Sequence, residues 1–175
     1  MKADRSILVA ALTLLFVGCG YSSVRRADSE RLHVTLRSTH IADAAATDSV
    51  LAGVRAALSE EGALAPGEGF PRVEVEVLRA DEISDGIQAT GGPAGGPSAR
   101  GTEIALVGRA CVVQSEGGEC TRDTGDVRTA DILAAQPSSE MAGVTYADTL
   151  RAAGMKLGRA LGRRLLGSPQ VGENR

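Results

Sequence analysis

Between Arg72 and Leu78 the chain reads Arg-Val-Glu-Val-Glu-Val-Leu. Val73, Val75 and Val77 fall on one side of an extended strand, and Glu74 and Glu76 fall on the other. A strand with one apolar and one charged face must bury a single side. It therefore belongs to an antiparallel sheet, or to a sheet that helices cover on one side only. This segment sets the frame into which the other periodic stretches have to fit.

Four of those stretches flank it before the end of the chain. Leu32 to Arg37 alternates apolar and polar and reads as a first strand. A helix that starts near Asp48, capped by Thr47 or Asp43, carries Val50, Leu51, Val54, Ala57 and Leu58 on one side and stops at Gly62. Thr102 to Val113 reads as a long strand, bent at Gly108, and Thr121 to Leu133 as a more polar edge strand. The last helix, Tyr146 to Leu166, is capped by Thr145 and aligns Leu150, Ala153, Leu157, Leu161 and Leu165. Gly154, Gly158 and Gly162 recur every fourth residue along the edge of that apolar stripe, each at a cost of about 1 kcal/mol relative to Ala. Close packing of the helix on the sheet is the expected offset, with pairing to another helix or to a membrane-embedded partner as the alternative. Lys156, Arg159 and Arg163 occupy the opposite face, either solvated or turned to anionic lipid. The expected fold class is α+β, with two helices packed on one face of a mainly antiparallel four-stranded sheet in the order β-α-β-β-β-α.

The N-terminus carries the most specific signal. After Lys2 and Arg5, Ile7 to Val17 reads ILVAALTLLFV, an uncharged run about half as long as a bilayer-spanning helix. It ends in Gly18-Cys19, which resembles the lipobox of bacterial lipoproteins, where the peptide is cut before the cysteine. In such proteins the cysteine is thioether-linked to diacylglycerol and its amine is acylated, with palmitate among the acyl groups. Several acyl chains at about 0.8 kcal/mol per buried methylene hold a domain firmly on a membrane. Gly20, in place of Asp, implies sorting to the outer membrane. The expected division is a signal peptide over 1–18, a lipidated tether over 19–30, one α+β domain over 31–166 and a disordered tail over 167–175.

Two further cysteines, Cys111 and Cys120, flank Val-Val-Gln-Ser-Glu-Gly-Gly-Glu. An oxidising compartment permits a disulfide. A hairpin with the four-residue loop Gln114 to Gly117 would set them directly opposite each other, and two free thiols are the alternative. Two cysteines without a neighbouring His make an incomplete metal site, so no metal and no cofactor is expected.

Composition removes several function classes. A net charge of -3 lacks the basic excess of a nucleic-acid binder, and no nucleic-acid partner is expected. The four aromatics Phe16, Tyr21, Phe70 and Tyr146 are too scattered for a stacking groove or a sugar platform. The Gly91–Pro97 run lacks the Lys-Ser/Thr of a phosphate-binding loop and reads as a hairpin connection. His33 is expected to face solvent and His40 to lie in a loop. Asp81, Glu82, Asp123 and Asp126 read as loop or edge charges. No nucleophile and base pair stands at catalytic spacing, so the chain is not expected to be an enzyme.

Cys19-Gly20-Tyr21, the helix Val50 to Leu58, Arg100-Gly101-Thr102-Glu103-Ile104-Ala105-Leu106 and the terminal Leu157 to Leu166 carry a resemblance to the LptE family, the lipopolysaccharide-assembly lipoproteins of Gram-negative bacteria. The resemblance implies a lipid-anchored protein of the outer membrane that faces the periplasm. Its implied partners are an outer-membrane β-barrel of LptD type and lipopolysaccharide, with a binding role and no catalysis. Arg100 and Arg109 are basic candidates for lipopolysaccharide contact. Two other readings stand beside it: a periplasmic lipoprotein that regulates a cell-wall synthase, and an auxiliary lipoprotein of a lipid-transport ATPase.

Overall fold

A computed structural model describes residues 30–84, 102–133 and 139–167. Strand β1 (His33–Thr39) leads into helix α1 (Ala44–Glu60), and strands β2 (Arg72–Ser84), β3 (Thr102–Val113), β4 (Cys120–Asp123) and β5 (Val127–Leu133) precede helix α2 (Ser139–Leu165). The fold is α+β, and the sheet has five strands instead of four. It runs β1-β2-β3, with β4 and β5 following one another along the far edge of β3. All pairs are antiparallel except β1 and β2, which are parallel because α1 connects them as a crossover. The signal segment, the Gly91–Pro97 run and residues 168–175 lie outside the described residues.

The strand that sets the frame behaves as its alternation requires. Val73, Val75 and Val77 are fully buried, in a core shared with Ile104, Leu106, Ala110 and Val112 of β3. β2 continues past Leu78 to Ser84, so Asp81 and Glu82 are strand residues and not loop charges. A bulge between Val77 and Arg79 ends the Val-Glu alternation, and β3 keeps templating the strand beyond it. The expected single strand over 121–133 is broken in two by Thr124-Gly125-Asp126. Gly125 takes φ 62°, a left-handed turn that glycine adopts at little cost. Thr124 remains stitched to β3: its N–H donates to the Ala110 carbonyl, and its hydroxyl accepts from the Ala110 N–H at 2.9 Å.

Both helices start earlier than their apolar spacing predicts. Asp43, not Thr47, caps α1, accepting from the Ala46 N–H at 2.8 Å, while Thr47 is buried one turn in. Its C-terminal stop is the expected one: Gly62 has φ 70°, and the Ala63 N–H closes back on the Leu58 carbonyl at 2.8 Å. Thr145 sits inside α2, one turn ahead of Thr149, whose hydroxyl donates to its carbonyl at 2.7 Å.

The glycine stripe of α2 packs on α1, not on the sheet. A Cβ added at Gly154 would lie 2.7 Å from the Ala46 carbonyl oxygen, and one at Gly162 2.6 Å from Ala57 Cβ. At Gly158 a Cβ would overlap the Val50 carbonyl oxygen, and across the seam one at Gly53 would lie 2.5 Å from the Met155 carbonyl oxygen. The matching order, 46 with 154, 50 with 158 and 57 with 162, makes the two helices parallel. Leu150, Leu157, Leu161 and Leu165 then turn to the core, and Gly108 in β3 leaves room for Leu157, 3.1 Å from where its Cβ would stand. Gly158→Ala is expected to destabilise the domain by about 1–3 kcal/mol in urea unfolding. Gly143→Ala, in the same helix with open space around it, is expected to be neutral or to stabilise by up to about 1 kcal/mol. Equal effects at the two positions would contradict the seam.

Candidate functional site

The sheet face opposite the helices carries the charges of β2 and β3. The strand period places Glu74 and Glu76 there, with Arg109 and Cys111 beside them on β3. Arg37 of β1 lies on the same face by alternation, two residues after Thr35, which pairs with Glu74, and the register shift between Leu36 and Ser38 sets it beside Glu76 and not directly opposite. Glu76 is 8% exposed and its carboxylate lies between two guanidinium groups, 2.6 Å from Arg109 Nε and 3.3 Å from Arg37 Nε. Glu74 accepts from Arg72 at 2.6 Å, and Arg72 also stacks over the Phe70 ring at 4.4 Å. The hydrogen bond that Arg109 donates to Glu76, and then the charge of Glu76, hold the Arg109 pKa above the ordinary guanidinium value. Arg37, Glu74, Glu76, Arg109, Cys111, Cys120 and Asp123 together line a shallow depression. Its two guanidinium groups face three carboxylates, so it offers no free cationic cradle for a phosphate.

Cys111 and Cys120 are joined by a disulfide at a Cα separation of 5.8 Å. The bond forms, but the hairpin register differs from the expected one. Cys111 stands opposite Asp123 and Cys120 opposite Val113, with a shift between Val112 and Val113, so the disulfide runs diagonally across the pair. The connection is Gln114 to Glu119, with Gly117 at φ 67° supplying the turn. Glu30 closes over this hairpin, accepting from Gln114 Nε2 at 2.8 Å and from Arg122 Nη2 at 2.5 Å.

The remaining candidates are placed as follows. Cys19 and Arg100 lie outside the described residues. Arg109 is engaged by Glu76 and is no isolated cation. His33 does lie on the charged sheet face, but it is half-buried and packs on the 66–70 loop, with Nδ1 3.1 Å from the Gly67 carbonyl oxygen. Asp123 accepts from the Gly125 N–H at 2.9 Å and shapes the turn between β4 and β5. The basic side chains of α2 are about half exposed and reach acidic partners at the surface: Lys156 pairs with Asp131 at 2.8 Å, and Arg159 and Arg163 flank Glu60 at 3.9 and 3.6 Å. These pairs lace α2 to β5 and α1. Among the described residues no group of three or more His, Cys, Asp or Glu is placed to hold a metal ion. No described helix is long and apolar enough to cross a membrane.

The Arg37–Glu76–Arg109 bridge was not legible as a unit. The alternation marks both Glu76 and Arg37 as outward residues, but it does not say which strands become neighbours, so the placing of Arg37 and Arg109 on either side of Glu76 is not contained in it. At the other end of the same face, Ile83 and Ile132 both pair with Glu103 and stand exposed on either side of it, at 44% and 73%.

The overall fold is similar to that of solved bacterial lipoproteins. A minor lipoprotein from Acinetobacter baumannii superposes with a TM-score of 0.53 at 13% identity, over 79% of this chain and 92% of that one. A Caulobacter crescentus protein described as a lipoprotein superposes with a TM-score of 0.50 at 11% identity, over 74% of this chain and 86% of that one. No protein-family model matches the sequence, and no curated protein matches it. At these identities the likeness is one of fold.

Replacing Cys111 and Cys120 together by Ser is expected to lower stability by about 2–3 kcal/mol in urea unfolding. Alkylation of the denatured, unreduced protein is expected to leave both positions unmodified. Modification at both without reductant would contradict the bond.

Proposed function

We propose that this chain is an outer-membrane lipoprotein, anchored through Cys19 and facing the periplasm, that partners a β-barrel of LptD type in the assembly and surface export of lipopolysaccharide. The observation that carries the reading is the lipobox Gly18-Cys19, followed by Gly20-Tyr21, at the head of a chain whose fold is shared with bacterial lipoproteins. Membrane barrels have polar interiors. A surface that enters one must be polar without bringing unpaired charge out of water, because an uncompensated buried charge costs several kcal/mol. The face built from Arg72, Glu74, Glu76, Arg37 and Arg109 meets that requirement, since each carboxylate already holds a guanidinium. The role in this reading is binding and assembly: the domain contributes surfaces and the barrel contributes the passage.

Two measurements test the two halves of the proposal. Cys19→Ala is expected to move the protein from the membrane to the soluble fraction and to abolish its labelling by radioactive palmitate. Unchanged membrane association would defeat the anchor. Purification of the tagged wild-type protein from detergent extracts is expected to recover a large outer-membrane β-barrel. Recovery of only a peptidoglycan synthase or an inner-membrane ATPase would replace the barrel reading with one of the other two.

A further inference from the structure

The ten residues from Gln114 to Asp123 are the least supported part of the sheet. None of them is buried, so no hydrophobic contact holds the segment against β3. Its ladder is three residue pairs long and carries a register shift. Thr121 adds one side-chain bond, its hydroxyl donating to the Val112 carbonyl at 3.0 Å. β3 does not depend on this hairpin, because β2 pairs with it along the other edge from Thr102 to Val113. Toward β5 the weak stretch ends at Thr124, which is buried and bonded to Ala110 through both its N–H and its hydroxyl. Between these limits the hairpin is closed by the Cys111–Cys120 bond. Cys120 is exposed at the rim of the depression on the charged face, open to a thiol from solution.

The start of the domain rests on that hairpin. Glu30 accepts from Gln114, where the connection begins, and from Arg122 on β4. Exposed contacts of this kind contribute little alone, and they fix Glu30 only while the backbone that carries them is itself fixed. From Leu32 onward the chain no longer needs them. Leu32 is fully buried, its N–H donating to the Ala63 carbonyl at 2.8 Å and its own carbonyl accepting from the Ala65 N–H at 2.9 Å. Glu30 and Arg31, both exposed, therefore take their order from the hairpin and not from the core.

We propose that the Cys111–Cys120 bond is a redox-dependent clamp on the chain entry. Oxidised, it fixes β4 so that Arg122 and Gln114 hold Glu30. Reduced, it frees the hairpin and Glu30–Arg31 together while the core stays folded. The chemistry is thiol–disulfide exchange: the two thiols pass two electrons and two protons to the disulfide of a dithiol oxidoreductase, which leaves as the dithiol, and the reverse transfer opens the clamp. The clamp goes beyond the assembly role proposed above and does not depend on it. With Cys19 acylated, closing the bond moves the point where the tether is fixed from Leu32 to Glu30, on the hairpin that rims the charged face.

Backbone order parameters of the full chain in detergent micelles, measured by nitrogen-15 relaxation before and after treatment with tris(2-carboxyethyl)phosphine, test the clamp. In the oxidised protein Glu30, Arg31 and Cys120–Arg122 are expected near the rigid value of about 0.85. After reduction they are expected to fall below about 0.6, with Val75, Leu106 and Leu157 unchanged. Order at Glu30 and Arg31 that survives reduction, or loss of order throughout the core, would overturn the proposal. Glu30→Ala in the oxidised protein is expected to release Arg31 and to leave Arg122 ordered. An Arg31 that stays rigid in this variant would show that the hairpin does not hold the entry. None of these outcomes changes with the partner recovered from detergent extracts, so the clamp and the assembly reading fail separately.

Discussion

The close approach of α1 and α2 is the contact on which the rest of the structure depends. Gly158 sits so near the Val50 carbonyl that no side chain fits, and Gly53 meets the Met155 backbone in the same way from the other helix. Four glycines in helix interiors each carry a propensity cost of about 1 kcal/mol, which close packing along the whole seam has to offset. With the helices this near each other, the leucines at 150, 157, 161 and 165 point together into the sheet, and Gly108 opens the space that Leu157 fills. Lys156, Arg159 and Arg163 then fall within reach of Asp131 and Glu60, so a face that reads as basic in the sequence has acidic partners at the surface of the domain.

The same seam separates what the sequence discloses from what it conceals. Alternation over Arg72–Leu78 and leucine spacing in the last helix report burial directly, and the α+β class, the two helices and the core valines and leucines follow from them. A four-residue glycine repeat reports only that something comes close. Its partner is fixed by the parallel arrangement of two helices about a hundred residues apart in sequence, which no local pattern contains. The strand errors have two causes, the Gly125 turn that splits the last strand and bulges elsewhere. Bulges at Leu36/Ser38, Val77/Arg79 and Val112/Val113 shift register by a residue without leaving a signature in hydropathy, and each moved a boundary or a pairing. The charged bridge was hidden for another reason: Arg37, Glu76 and Arg109 each read as outward, but no local pattern says that β1 and β3 flank β2. Asp43 was legible as a cap, but Thr47 competed for the role until the helix start was known.

The charged sheet face and the pinned chain entry give the functional reading its physical shape. A stapled hairpin at the point of entry, an outer face of paired charges and exposed aliphatics at the distant end describe a domain organised along one axis. The arginines of the sheet face are paired with the carboxylates beside them.

The proposal is a claim about what reaches the cell surface, and depletion of this chain in its own cells tests it most directly. The account predicts that lipopolysaccharide exposed on the outer leaflet falls as the protein is lost and that correctly assembled LptD-type barrel falls with it. Surface lipopolysaccharide and assembled barrel that both hold at their starting levels after complete depletion would contradict the account.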